Sequence, residues 1–185
     1  MTIFIFSKNN LQKIQAYTVL MFALCLSQNL QAKTYLTVEQ AQKQIFPSLA
    51  LSKVPVILTP QQQAKLTEAS SVRLPFDGSN VWKAADGSWF VVDQVVGKHE
   101  FITYAVAINA DGTVKMVEVL EYNESYGSEI KERSWMQQFV GKTATSPIKL
   151  NQDIANISGA TLSSKHLADG VKRVMVMYDL VLKAH

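Results

Sequence analysis

The chain has 185 residues, enough for one domain of ordinary size. Its composition, 48% hydrophobic and 18% charged, excludes a disordered polymer and fits a packed globular protein. The net charge is +3; Lys8 and Lys13 supply two of those charges and no acid lies among the first 32 residues, so the remainder holds 16 basic against 15 acidic residues, a balance of +1 that excludes a strongly basic nucleic-acid surface and a polybasic membrane patch.

Residues 1–32 read as a targeting segment. Lys8 and Lys13 precede an apolar run from Ala16 to Ser27, then a polar stretch and Ala32. A positive start, a short apolar run and a small residue at the end are the parts of a secretory signal peptide. The run is too short for a comfortable membrane-spanning helix. The alternative is retention as an uncleaved anchor, because Leu30 is larger than cleavage sites favour at that place. The single cysteine, Cys25, follows Leu24 rather than the small residue that a lipidation box requires. Cleavage after Ala32 leaves a mature chain without cysteine, and hence without a disulfide, a thiolate metal site or a cysteine nucleophile.

Residues 33–85 read as a helical lead-in. Val38, Ala41 and Ile45 recur at helical spacing before Pro47. Thr59 and Pro60 make a helix start for Gln61 to Ala69. Val72 to Ala85 reads as loop or edge structure. From Asp86-Gly87 the pattern turns to strands: Trp89 to Val96 is rich in aromatic and β-branched residues, and Phe101 to Asn109 alternates with Ile102, Tyr104, Val106 and Ile108 on one face. Asp111-Gly112 signals a hairpin turn. Thr113 to Tyr122 returns as the partner strand; its apolar parity shifts between Met116 and Val117, the mark of a bulge or of burial on both sides. Ser128 to Phe139 reads as one short helix stopped by Gly141, and Ile148 to Leu150 as a short strand. A last helix runs from about Ser163 to Lys183, with Leu167, Val171, Val174, Tyr178 and Leu182 on one face. Grouped strands with helices before and after predict an α+β fold, an antiparallel sheet with flanking helices.

Ser158-Gly159-Ala160-Thr161-Leu162-Ser163-Ser164 stands at the start of that helix. Backbone N–H groups at a helix start lack partners and favour an anion. Four hydroxyls, those of Ser158, Thr161, Ser163 and Ser164, are available to phosphate oxygens. From the residues alone, an ordinary Ser/Thr cap after a glycine loop is the other reading.

The run from Ile157 to Ser164 resembles the flavinylation motif of the FMN-binding domain family, which includes the C subunit of the sodium-pumping NADH:quinone oxidoreductase and the G subunit of the Rnf complex. Gly97-Lys98-His99-Glu100, Asp111-Gly112, Glu124-Ser125-Tyr126-Gly127, and Trp135 through Phe139 to Gly141-Lys142 also occur in the order of that family. The resemblance implies an FMN-binding domain over residues 86–183, with FMN joined through its phosphate to Thr161 by a flavin transferase that takes it from FAD with Mg²⁺. It implies that Ser158, Gly159, Ala160, Leu162 and Ser163 surround the attachment point, that Glu124, Tyr126 and Gly127 form a loop near the flavin, and that Lys142 contacts phosphate. Lys98 and His99 lie between two strands, either as a solvated turn or close to the cofactor.

Two departures stand out. The motif usually has Asp six residues before the Thr, where this chain has Ala155, and the Rnf-type Glu-Thr-Pro-Gly-Leu-Gly loop reads Glu124-Ser125-Tyr126-Gly127-Ser128-Glu129. A stand-alone relative fits better than a subunit of the large respiratory complexes. The expected role is an exported electron carrier, periplasmic or otherwise extracytoplasmic, or membrane-anchored if the leader is retained. Its partners would be the transferase and redox proteins, membrane-bound ones included, and not nucleic acid. The alternatives are a flavin-dependent reductase acting on a small substrate and a flavin-free module that keeps the fold. No catalytic residue and no metal ligand stands out: three scattered His do not make a site, and Met175 and Met177 read as core.

Overall fold

The computed structural model describes residues 35–124 and 127–185. The expected targeting segment and Tyr126 therefore lie outside the described residues. Five strands form one antiparallel sheet in sequence order: β1 (Leu51–Lys53), β2 (Val81–Ala84), β3 (Trp89–Val96), β4 (Phe101–Ile108) and β5 (Val114–Tyr122). The helices are α1 (Val38–Ile45), α2 (Pro60–Ser70), the four-residue α3 (Arg133–Met136) and the 20-residue α4 (Thr161–Leu180). The α+β class expected from the sequence is the observed one.

The sheet is buried on both faces. Ile102, Tyr104, Val106 and Ile108 of β4 face one way, into a core shared with Leu66 of α2, the Ile130–Phe139 segment, and Leu167, Val171, Val174 and Tyr178 of α4. Ala105 and Ala107 face the other way, with Phe90, Val92 and Leu120, against Ala41, Ile45 and Phe46. Small side chains at 105 and 107 let α1 come close to the sheet. The parity shift in β5 has a structural cause. Tyr104 pairs with Val119 while Thr103 pairs with Glu121, and Ala107 pairs with Met116 while Ile108 pairs with Val114. Leu120 and Lys115 are thus extra residues, and each bulge returns the following apolar side chain to a buried face.

Turn chemistry closes the hairpins as expected. Gly112 has φ +85° and its N–H donates to Asn109 O at 2.9 Å, while Asp111 Oδ1 accepts from Thr113 N at 2.9 Å. Thr37 and Thr59 cap α1 and α2, each in a capping box with the Gln three residues on, and Pro60 holds the first helical position of α2.

Three sequence expectations are corrected. The lead-in is not only helical: it contributes β1 and β2, and β2 lies inside the sheet between β1 and β3. Ser128 to Phe139 is not one helix but two 3-10 turns flanking α3, because Glu132 sits in an extended conformation (ψ 127°). Ile148 to Leu150 is not a strand; only an isolated bridge joins Leu150 to Ile154, and Ile148 has φ +44°. Asp153 bends this stretch into a loop by accepting from the N–H groups of Ile148 at 3.1 Å and Lys149 at 2.7 Å.

Candidate functional site

A cavity of about 480 Å³ opens at the amino end of α4, lined by Lys98, His99, Glu124 and Gly159 through Ser163. That volume lies in the range of small-molecule sites. Three elements converge on it: the β3–β4 turn, the end of β5 and the loop leading into α4.

The start of α4 is bare. Its first internal bond runs from Ser164 N to Ala160 O at 2.9 Å, so the N–H groups of Thr161, Leu162 and Ser163 have no acceptor within the helix. No side chain caps them, in contrast to α1 and α2. Gly159 turns the chain at φ +82°, and nothing lies within 4 Å of the place where its side chain would be, so the approach to the helix start is open. Thr161 is exposed at the first helical position, and its Oγ1 accepts a bond from Asn156 Nδ2 at 3.2 Å.

The opposite wall is pinned from two sides. Glu124 Oε1 accepts from His99 N at 2.6 Å and Glu100 N at 3.1 Å. His166, on α4, donates from Nδ1 to Val96 O at 2.6 Å and Gly97 O at 3.1 Å; two carbonyl partners require that nitrogen to carry the proton. A side chain at Gly97 would meet Glu124 Oε1 at 2.6 Å, so glycine is needed there for the carboxylate to reach the turn. At φ +86°, Gly127 packs under Ala160, where a Cβ would come within 2.5 Å of that residue's own. Tyr122 donates to Ser163 Oγ at 3.3 Å, tying the end of β5 to the same helix start.

Partial burial raises the Glu124 carboxyl, but the backbone N–H groups of His99, Glu100 and Lys98 outweigh it, and the group rests below its ordinary value of 4.5. A depressed carboxylate stabilises the fold above its unfolded-state value and loses that contribution as pH falls through the folded-state value. Glu124→Ala should therefore cost about 1 kcal/mol at neutral pH, after allowance for solvent screening, and little in strong acid. Thermal melts of the two proteins across pH 3 to 7 test this; a constant gap would contradict it.

Of the residues expected at the site, Thr161, Gly159, Ala160, Leu162, Ser163 and Glu124 line one cavity, and Gly127 supports it from beneath. Ser158 is exposed on the approach but does not line it. Lys142 lies elsewhere: its Nζ pairs with Asp153 at 2.8 Å and anchors the loop before the motif. The four hydroxyls do not act alike. Ser164 is fully buried and bonds within the first turn, and Ser163 accepts from Tyr122, leaving Thr161 and Ser158 exposed. Lys98 and His99 are both exposed and cavity-lining, so the two readings of that turn were not exclusive. His166 is half-buried and bonded to the β3–β4 turn. Asn156 escaped the sequence reading altogether; a polar residue just outside a glycine-led helix start was its only signal.

The donor set suits a phosphate-bearing cofactor: an unpaired helix start and an exposed hydroxyl at its first residue, with Lys98 on the facing wall beside the Glu124 carboxylate. An α+β domain with an open anion-favouring cleft between a sheet edge and a long helix is the class that results. Residues 97–176 match the family model of the FMN-binding domain, a span that contains every cavity-lining residue. Residues 97–176 thus carry an FMN-binding domain, and FMN is the cofactor that match supports. No curated protein matches the chain.

Proposed function

We propose that the protein is an exported flavoprotein whose FMN is joined through its phosphate to Thr161 and which passes electrons between redox partners. The observation that carries this reading is the position of Thr161 Oγ1: exposed, on the first residue of an uncapped helix, at the edge of the cavity inside the family-matched segment. Attachment forms the bond from Thr161 Oγ1 to the FMN phosphorus of FAD and breaks the pyrophosphate bond, releasing AMP. The hydroxyl proton must pass to a base. Among the described residues the hydrogen bond to Thr161 Oγ1 comes from an amide, which is no base, so the flavin transferase supplies it. The open space around Gly159 gives that enzyme access.

Bound FMN supplies the redox chemistry through its ring system. This chain's own residues then hold the phosphate at the N–H groups of 161–163 and set the charge around the cavity, where Lys98 and the Glu124 carboxylate oppose each other. A covalent tether suits an extracytoplasmic site, where a dissociable cofactor is lost by dilution. Residues 1–32 support export, and the partners on this reading are the transferase and redox proteins, including membrane-bound ones. Intact mass of the denatured mature chain tests the proposal: loss of the leader and gain of one FMN less one water are expected. An unmodified mass from cells that make the transferase would overturn it.

Ala155 stands where the motif usually has Asp, and its role in this chain is carried by its backbone. Its N–H donates to Gln138 Oε1 at 2.7 Å and its carbonyl accepts from Trp135 Nε1 at 2.8 Å, while the residue is exposed. Ala155→Asp should therefore fold normally and be labelled at least as well as the parent. A clear loss of label in a gel fluorescence assay would show that position 155 does not correspond to the motif's acid.

A further inference from the structure

We propose that Asn156 is a positioning residue for modification of Thr161, an inference that rests on Thr161 being the attachment residue. Asn156 Nδ2 donates to Thr161 Oγ1 at 3.2 Å, and Asn156 Oδ1 accepts from Ser164 Oγ at 3.2 Å. Ser164 is fully buried, and its one hydroxyl proton is shared between Asn156 Oδ1 and Ala160 O, the latter at 3.0 Å, so the far end of the bridge lies on an immobile side chain of the helix. The near end is fixed by Ala155, whose N–H and C=O are both held by the α3 region. An exposed Thr side chain at a helix start otherwise divides its time between rotamers. The amide selects one. It fills one lone pair of Oγ1 as a donor, so the hydroxyl keeps its own proton free for an external base. The same bond survives attachment, because an ester oxygen accepts but cannot donate. A carboxylate at this position would do the reverse: it would hold the hydroxyl proton before reaction and repel the phosphate afterwards.

The test is single-turnover and steady-state labelling of the purified apo chain by flavin transferase, FAD and Mg²⁺. Asn156→Ala should lower kcat about tenfold, with KM for the protein substrate and Tm unchanged. Asn156→Asp should be slower still. A residue that merely ordered the loop would raise KM or lower Tm instead. Wild-type rates in both variants, or a faster Asn156→Asp, would overturn the assignment while labelled parent and unlabelled Thr161→Ala leave the attachment residue standing. An unlabelled parent, or a labelled Thr161→Ala, would remove both.

Discussion

Thr161→Val should yield a chain that carries no flavin after denaturation and melts within about 1 kcal/mol of the unlabelled parent. Valine has the shape of threonine, and the site is exposed, so the fold loses only one acceptor for Asn156 Nδ2. The hydroxyl, by contrast, is the whole of the chemistry: without Oγ1 there is no atom to bond phosphorus. FMN added in excess would still bind the native state reversibly, since the helix N–H groups and the cavity are intact. Native absorbance and fluorescence on a denaturing gel therefore separate binding from attachment. Thr161→Ser keeps the oxygen and should retain part of the label, at a lower rate because serine lacks the methyl group that restricts rotation. Label on the Val variant at the parent's level would place the bond on another residue.

The helix and the hydroxyl were legible in the sequence because both are local. A Ser-Gly-Ala-Thr run before an apolar stripe of three- and four-residue spacing predicts a helix start and an exposed hydroxyl together. The alternation in β4 and the Asp111-Gly112 turn are local in the same sense. The other wall of the cavity was legible only in part: the family resemblance implied Glu124, and the place of Lys98 and His99 stayed open. Lys98 and His99 reach the site only because the register Val96 opposite Phe101 puts their turn beside α4, and because Glu124 and His166 then hold it there. Register is a property of paired strands, not of either alone. The strands β1 and β2, of three and four residues, are shorter than the window in which alternation is recognisable. Ile148 to Leu150 misled for the opposite reason: its apolar composition suits a strand, but the carboxylate of Asp153 captures two of its N–H groups. Lys142 was drawn to the same carboxylate, a pairing across eleven residues that composition does not disclose.

Arg173→Met should be the most destabilising single change on α4, costing about 3–5 kcal/mol. Arg173 is 1% exposed, and its Nη2 and Nε donate to Asp93 Oδ2 at 2.6 and 3.0 Å. Nη2 also reaches Gln94 O, and Nη1 reaches Leu74 O across the core. Methionine fills part of the space but leaves a buried carboxylate whose remaining side-chain donor is Tyr104 Oη at 2.7 Å. Burial already pushes the Asp93 carboxyl up, and Arg173 pulls it back only in part. Without the guanidinium it rises further. A carboxyl raised in the folded state binds its proton more tightly there than in the unfolded chain, so the variant loses stability as pH rises from the unfolded value toward the folded one. The cost of Arg173→Met should accordingly be smaller at pH 5 than at pH 8, which denaturant midpoints at the two values measure directly. Replacing both partners, as in Asp93→Leu with Arg173→Met, should recover a large part of the loss because no charge is then left buried. The pair also matters to the site. It ties the middle of α4 to β3, and the same helix presents Thr161 twelve residues earlier, so its rigid axis transmits the anchor to the cavity. Equal stability of the parent and Arg173→Met at pH 8 would mean that packing alone, and not this ion pair, seats the helix on the sheet.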